Sequence, residues 1–218
     1  MMSFDTQHGG LMDRVYRNQR HIYDLTRKFF LLGRDRLLAD LAPPPEGRVL
    51  EIGCGTGRNL LAVARMFPGI ECYGIDISSH MLETAKFSIR RVGMGDRVFV
   101  SLADATAIRA EDLFEIDRFD RIFISYTLSM IPRWNQALRQ AVKLLASAGS
   151  LHVIDFGRQS NLPNWFRWIL RSWLNIFHVS PCLELGNELV KMAGDEGLRA
   201  TVHELYRGYA VYGILRDA

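Results

Sequence analysis

Residues 48–59, RVLEIGCGTGRN, place three glycines at every second position directly after a short apolar run. Val49, Leu50 and Ile52 have the length and composition of a buried parallel strand, and Arg58 to Phe67 repeats its apolar residues at helical spacing, so the glycines fall at a strand-to-helix turn. Such a turn suits a nucleotide. Gly53, Gly55 and Gly57 tolerate positive φ and carry no Cβ, so the backbone can turn sharply and a flat ligand can come close. The dinucleotide pattern fails. Read as G-x-G-x-x-G from Gly53, the third glycine falls on Arg58, where close packing on a pyrophosphate needs none of that bulk. Asp76 ends the second apolar run, IECYGIDI, nineteen residues after Gly57. A carboxylate at the end of the next strand can accept two hydrogen bonds from a ribose diol. A third run, RVFVSLAD, ends at Asp104-Ala105, where Asp104 reads equally as a ligand or as a helix cap or solvated turn.

Other chemistry is sparse. His8, His21, His80, His152, His178 and His203 are scattered without ligand spacing, so no metal site is expected. The three cysteines, Cys54, Cys72 and Cys182, are odd in number and lack C-x-x-C spacing, which points to reduced thiols in a cytosolic compartment. A chain of 218 residues with 48% apolar composition can fill the core of one α/β domain, and a net charge of +3 does not by itself argue for nucleic acid. The start, MMSFDTQHGG, has no charged opening before an apolar core, so no signal peptide is expected, and no stretch has the roughly 18 uncharged apolar residues of a membrane span.

The elements that must hold these residues alternate. Strands are expected at the glycine run, 70–77, 97–103, 121–126 and 150–156, with helices at about 79–92 and 134–145 between them. That order argues for a parallel sheet covered on both faces, with the ligand at the carboxyl ends of the strands. After a helix near 183–194, the runs 198–205 and 209–216 are separated only by Tyr206-Arg207-Gly208, a hairpin spacing. Pro43-Pro44-Pro45 should deliver an extended chain to the first strand.

Two amphipathic segments flank this plan. Residues 11–32 place Leu11, Val15, Ile22, Leu25 and Phe29 along one stripe among Arg14, Arg17, Arg20, Arg27 and Lys28. The segment reads either as a helix packed on the sheet or as one that covers the pocket and touches anionic lipid. Residues 163–177, PNWFRWILRSWLNIF, carry three tryptophans around the narrow polar stripe Asn164, Arg167, Arg171 and Asn175, and suit either a core helix or a lipid-facing lid.

The motif Glu51-x-Gly53-x-Gly55-x-Gly57, with Asp76 and Asp104, resembles that of the class I S-adenosylmethionine (SAM) dependent methyltransferases. Over most of its length the chain is also similar to the bacterial betaine-lipid methyltransferases, which trimethylate the amine of diacylglyceryl-homoserine. That likeness is carried by YRNQRHIYDLTRKFFLLGRDRL at 16–37, EIGCGTGRN at 51–59, YTLSMIPRW at 126–134, HVIDFGRQSNLPNWFR at 152–167 and YRGYAVY at 206–212. The phosphatidylethanolamine N-methyltransferases share part of the pattern and stand as the alternative. After them come a quinone or catechol methyltransferase and a SAM-binding protein without turnover. Where amino DNA methyltransferases carry Asn or Asp before Pro-Pro-Tyr, this chain reads Ser125-Tyr126-Thr127-Leu128, and no Pro-Cys motif offers a covalent route.

The resemblance implies a Rossmann-like α/β fold with N-terminal helices and seven strands in the order 3-2-1-4-5-7-6, mostly parallel, the last antiparallel. It divides the chain into a helical cap at 1–45 and a SAM-binding domain at 46–218, with an amphipathic insertion at 161–179. It implies SAM as cofactor, bound by Glu51, Gly53, Gly55, Gly57, Asn59, Asp76, Ile77, Met81, Asp104, Ala105, Ser125 and Arg27, with Tyr16, Tyr23 and Tyr126 as catalytic candidates. Tyr206 and Tyr209 join these three as aromatic faces for a quaternary ammonium, or as half-buried core. A lipid acceptor at an anionic membrane surface, reached from the cytoplasmic side by a peripheral enzyme, completes the expectation.

Overall fold

The computed structural model describes residues 31–176 and 179–217. The expected helix at 11–32 therefore lies almost wholly outside the described residues. The first described helix, α1 (Arg34–Asp40), starts at Gly33, whose φ of 83° makes the break before it, and buries Leu37 and Leu38. Beyond the prolines the chain closes a turn, Gly47 N–H donating to the Pro44 carbonyl at 3.0 Å, and then enters β1 (Arg48–Ile52).

From there the chain runs α2 (Arg58–Met66), β2 (Glu71–Asp76), α3 (Ser79–Arg91), β3 (Val98–Leu102), α4 (Ala110–Phe114), β4 (Phe119–Ser125) and α5 (Trp134–Lys143). It ends with β5 (Leu145–Phe156), α6 (Asn164–Ile176), α7 (Leu185–Asp195), β6 (Leu198–Leu205) and β7 (Ala210–Asp217). The strands form one sheet in the order β3-β2-β1-β4-β5-β7-β6. Only β7 runs against its neighbours, pairing antiparallel with both β5 and β6; the four-residue turn at 206–209 leaves no room for a crossover between β6 and β7.

Two differences from expectation have local causes. Strand β5 begins at Leu145 rather than 150, since the helix ends at Lys143 and Leu145 already pairs with Phe119 before the register shifts. The short helix α4 has too few residues to show a period in the sequence. Alternation along the strands divides the core between the two faces. Val49, Cys72, Phe123, Ile154 and Tyr212 pack under α1, α2, α3 and α6, while Leu50, Ile75, Ile122, Val153 and Val211 pack under α4, α5 and α7.

Within 161–179 the residues Asn164–Ile176 form α6, and its two faces differ. Leu170 and Leu174 are buried on the sheet and Trp173 is half-buried against them, whereas Trp165 and Trp168 are 67% and 72% exposed. The tryptophans that the sequence grouped together are thus split between core and surface.

Candidate active site

The carboxyl ends of β1, β2 and β4 meet at the glycine turn. Gly53, Gly55 and Gly57 have φ of 77°, 52° and 74°, values an L side chain adopts only with strain, and the Gly53 and Cys54 amides both donate to the Ile75 carbonyl (2.8 and 2.9 Å). At Gly53 a second constraint acts, because a Cβ there would lie 2.1 Å from Thr127 Cγ2. Gly57 caps α2, and a Cβ on it would press on Ala85 of α3 at 3.2 Å.

Asp76 ties this turn to the start of α3. Its Oδ2 accepts the Gly55 amide at 2.8 Å and its Oδ1 the Ser78 amide at 2.9 Å, while Ser78 Oγ accepts the Met81 amide at 3.3 Å. A carboxylate oxygen can accept more than one hydrogen bond, so a group placed to hold the turn also has the chemistry to accept a diol. Glu51, buried on β1, accepts the Asn59 side-chain amide at 2.7 Å. Ile77 is half-buried and Met81 buried alongside.

Asp104 closes a turn in the loop after β3 and does not cap α4, whose N-cap is Arg109. Its Oδ1 accepts the Thr106 amide (2.7 Å) and hydroxyl (2.8 Å), with Ala105 half-buried between them. At the end of β4 the Ser125 hydroxyl is 1% exposed and has no hydrogen-bond partner among the described residues. An orphaned hydroxyl beside a glycine turn and a two-handed carboxylate form a donor and acceptor set that fits a nucleoside with an amino-acid arm.

Tyr126 has φ of 56° and is buried, and its hydroxyl donates to the Leu32 carbonyl at 2.5 Å. Burial, with Tyr209 and Asp155 nearby, pushes its pKa well up, so Tyr126 is held with its hydroxyl in the neutral form. It opens an aromatic cluster. Phe156 stands edge-on to Tyr126 (4.7 Å), Tyr209 (5.9 Å) and Trp173 (6.3 Å), and Phe166 of α6 lies 6.3 Å from Tyr209. Tyr209 is buried and Tyr206 is 51% exposed. Tyr16, Tyr23 and Arg27 lie outside the described residues.

Three residues at the site were not anticipated. Thr127 packs on Gly53, Ser129 sits in the 3-10 turn Leu128–Met130, and Asp155, fully buried near the end of β5, accepts the Ser129 amide at 3.0 Å. A charged residue inside the apolar run HVIDF was the available signal for Asp155. The three cysteines are buried and free, burial pushing Cys72 up to about 12. Among the described residues no group of three or more His, Cys, Asp or Glu could hold a metal ion, and no helix is long and apolar enough to cross a membrane.

Sheet order and site together define a class I SAM-dependent methyltransferase domain. The chain belongs to the methyltransferase domain family, whose model matches residues 44–197. It is 29% identical over 160 residues to the ubiquinone/menaquinone biosynthesis C-methyltransferase UbiE of Cereibacter sphaeroides, covering 71% of this chain and 61% of that protein. To the 2-phytyl-1,4-naphtoquinone methyltransferase of Trichormus variabilis it is 28% identical over 208 residues, covering 84% of this chain and 87% of that one. The chain spans 37% and 61% of the lengths of the first two distinct curated relatives it matches. Among solved structures, a SAM-dependent methyltransferase from Aquifex aeolicus shares the fold with a TM-score of 0.61 at 19% identity, covering 87% of this chain and 92% of that one. Both the Cereibacter and the Trichormus relatives carry quinone names rather than betaine-lipid ones, so the betaine-lipid resemblance holds at the methyltransferase level alone.

Proposed function

We propose that this domain transfers the methyl group of SAM to the polar head of an acceptor whose apolar tail stays in a bilayer. The observation that carries the reading is α6. Its inner face lies over the aromatic cluster at the strand ends, while its outer face exposes Trp165, Trp168 and Ile169 with Arg171 and bears no acid. SAM supplies an activated methyl on a sulfonium. Gly53, Gly55 and Gly57 would lie against its amino-acid and ribose portions, Asp76 would take the diol and Asp104 the adenine amine. The protein's remaining work is to align the acceptor and exclude water.

For the head itself, the relatives' names favour a ring carbon of a lipid quinone, the reading with the broader support. A lipid amine, as in diacylglyceryl-homoserine or phosphatidylethanolamine, is favoured by a different observation. The segments 126–134, 152–167 and 206–212 that carry the betaine-lipid resemblance converge at the end of β4 and β5. There Gly157 N–H donates to the Tyr209 carbonyl and Gln159 N–H to that of Gly208, both at 2.8 Å. The decisive experiment incubates the protein with labelled SAM and vesicles containing either demethylmenaquinone or diacylglyceryl-homoserine. Label in the organic phase with one acceptor assigns the head; label with neither would overturn both of these head assignments.

A further inference from the structure

Asp155 is 0% exposed and makes no ion pair among the described residues. Its Oδ1 accepts the Phe156 amide at 2.7 Å and its Oδ2 the Ser129 amide at 3.0 Å. A buried carboxylate satisfied only by neutral donors is costly to keep, so the fold must hold it for what those donors do. Ser129 lies in the turn that begins at Thr127, closed by Met130 N–H donating to the Thr127 carbonyl (3.0 Å), and its own carbonyl accepts the Ser180 amide (2.9 Å). Thr127 in turn has its hydroxyl within 3.3 Å of both the Gly53 and the Ser125 carbonyls, and it fills the space a Gly53 side chain would need.

We infer that Asp155 is a positioning residue for the cofactor end of the site: through the Leu128–Met130 turn it holds Thr127 against Gly53 and so sets the shape of the glycine turn. The inference rests on the reading of that turn as the SAM site. It predicts a proton dependence with a definite sign. Burial raises the Asp155 pKa to about 6, and protonation converts one acceptor oxygen into a donor facing an N–H group. The other titratable groups that face it, Tyr126 of the β4 end and Cys182 of the segment after α6, are pushed up by burial and stay neutral over the same range.

The test is calorimetric titration of the full chain with SAM between pH 8 and pH 5, alongside thermal unfolding. The wild type should lose affinity across a midpoint near the pKa of about 6. Asp155→Asn should bind about tenfold more weakly at pH 8 and lose that step, without a lower unfolding temperature, because it removes a buried unpaired charge. Thr127→Ala should weaken binding similarly, and the double variant should show less than the sum of the two losses. Wild-type affinity and an unchanged pH profile in Asp155→Asn would overturn the inference. Should that variant not fold, a flat wild-type affinity profile over the same pH range would overturn it equally. A wild type that does not bind SAM at all would instead remove the cofactor reading beneath it.

Discussion

Asp76 acts at two levels, because its carboxylate shapes both the glycine turn through Gly55 and the start of α3 through Ser78. Asp76→Ala should weaken SAM binding by about 2 to 4 kcal/mol, the cost of losing two charge-assisted hydrogen bonds, as read by calorimetry. Asp76→Asn keeps one acceptor and should lose less. Gly53→Ala tests backbone rather than ligand. A methyl at φ 77°, 2.1 Å from Thr127, forces the turn apart, and chemical denaturation should show a loss of about 2 kcal/mol or more. Unchanged stability there would mean that the turn and Thr127 move independently.

Among the helices, α6 makes the sharpest prediction because its tryptophans have separate fates. Trp173 stands against Phe156 at 6.3 Å with the buried Leu170 and Leu174, so Trp173→Ala should cost about 3 kcal/mol in denaturant unfolding. The double variant Trp165→Ala, Trp168→Ala removes only exposed rings and should leave stability within about 0.5 kcal/mol. Its effect belongs to the membrane instead. Each ring transferred into the interface contributes about 1.5 to 3 kcal/mol and each arginine near an anionic surface about 1 kcal/mol, so vesicle flotation should drop strongly in the double variant. Wild-type flotation should also weaken with salt. Normal flotation of the double variant would mean that the outer face of α6 does not meet lipid.

Across the whole molecule, two buried groups oppose each other in acid. His152, 3% exposed between the Ser150 hydroxyl (2.9 Å) and the Tyr212 hydroxyl (3.0 Å), is pushed down to about 4 by burial and by the Arg121 charge. The unfolded chain then binds a proton at pH 6.5 that the folded chain refuses, so stability from this group is present above pH 6.5 and about 3 kcal/mol is lost as pH falls to 4. Asp155 has the reverse sign. Its pKa of about 6 lies above the ordinary 3.8, so folding gains about 3 kcal/mol over nearly the same descent. The wild type should therefore vary little in stability between pH 7 and 4, whereas Asp155→Asn should become acid-labile. Denaturant midpoints across that range provide the check, and parallel curves for the two proteins would contradict it.

Local periodicity and spacing were enough to read the strand-to-helix glycine turn, the placed acid Asp76, six of the seven strands to within two residues and the final hairpin. Each depends on neighbours in the chain: apolar alternation marks a buried strand, and a short turn permits only an antiparallel return. The strand order came from family likeness, since no local pattern encodes which strand lies beside which. Tertiary structure alone decided the roles that depend on residues distant in sequence. It set Thr127 over Gly53, 74 positions away, and Asp155 under Ser129, 26 positions away. It also turned Trp173 inward and left Trp168 outward. Such choices follow from which faces of separate elements are brought together, and a chain read in order carries no record of that juxtaposition.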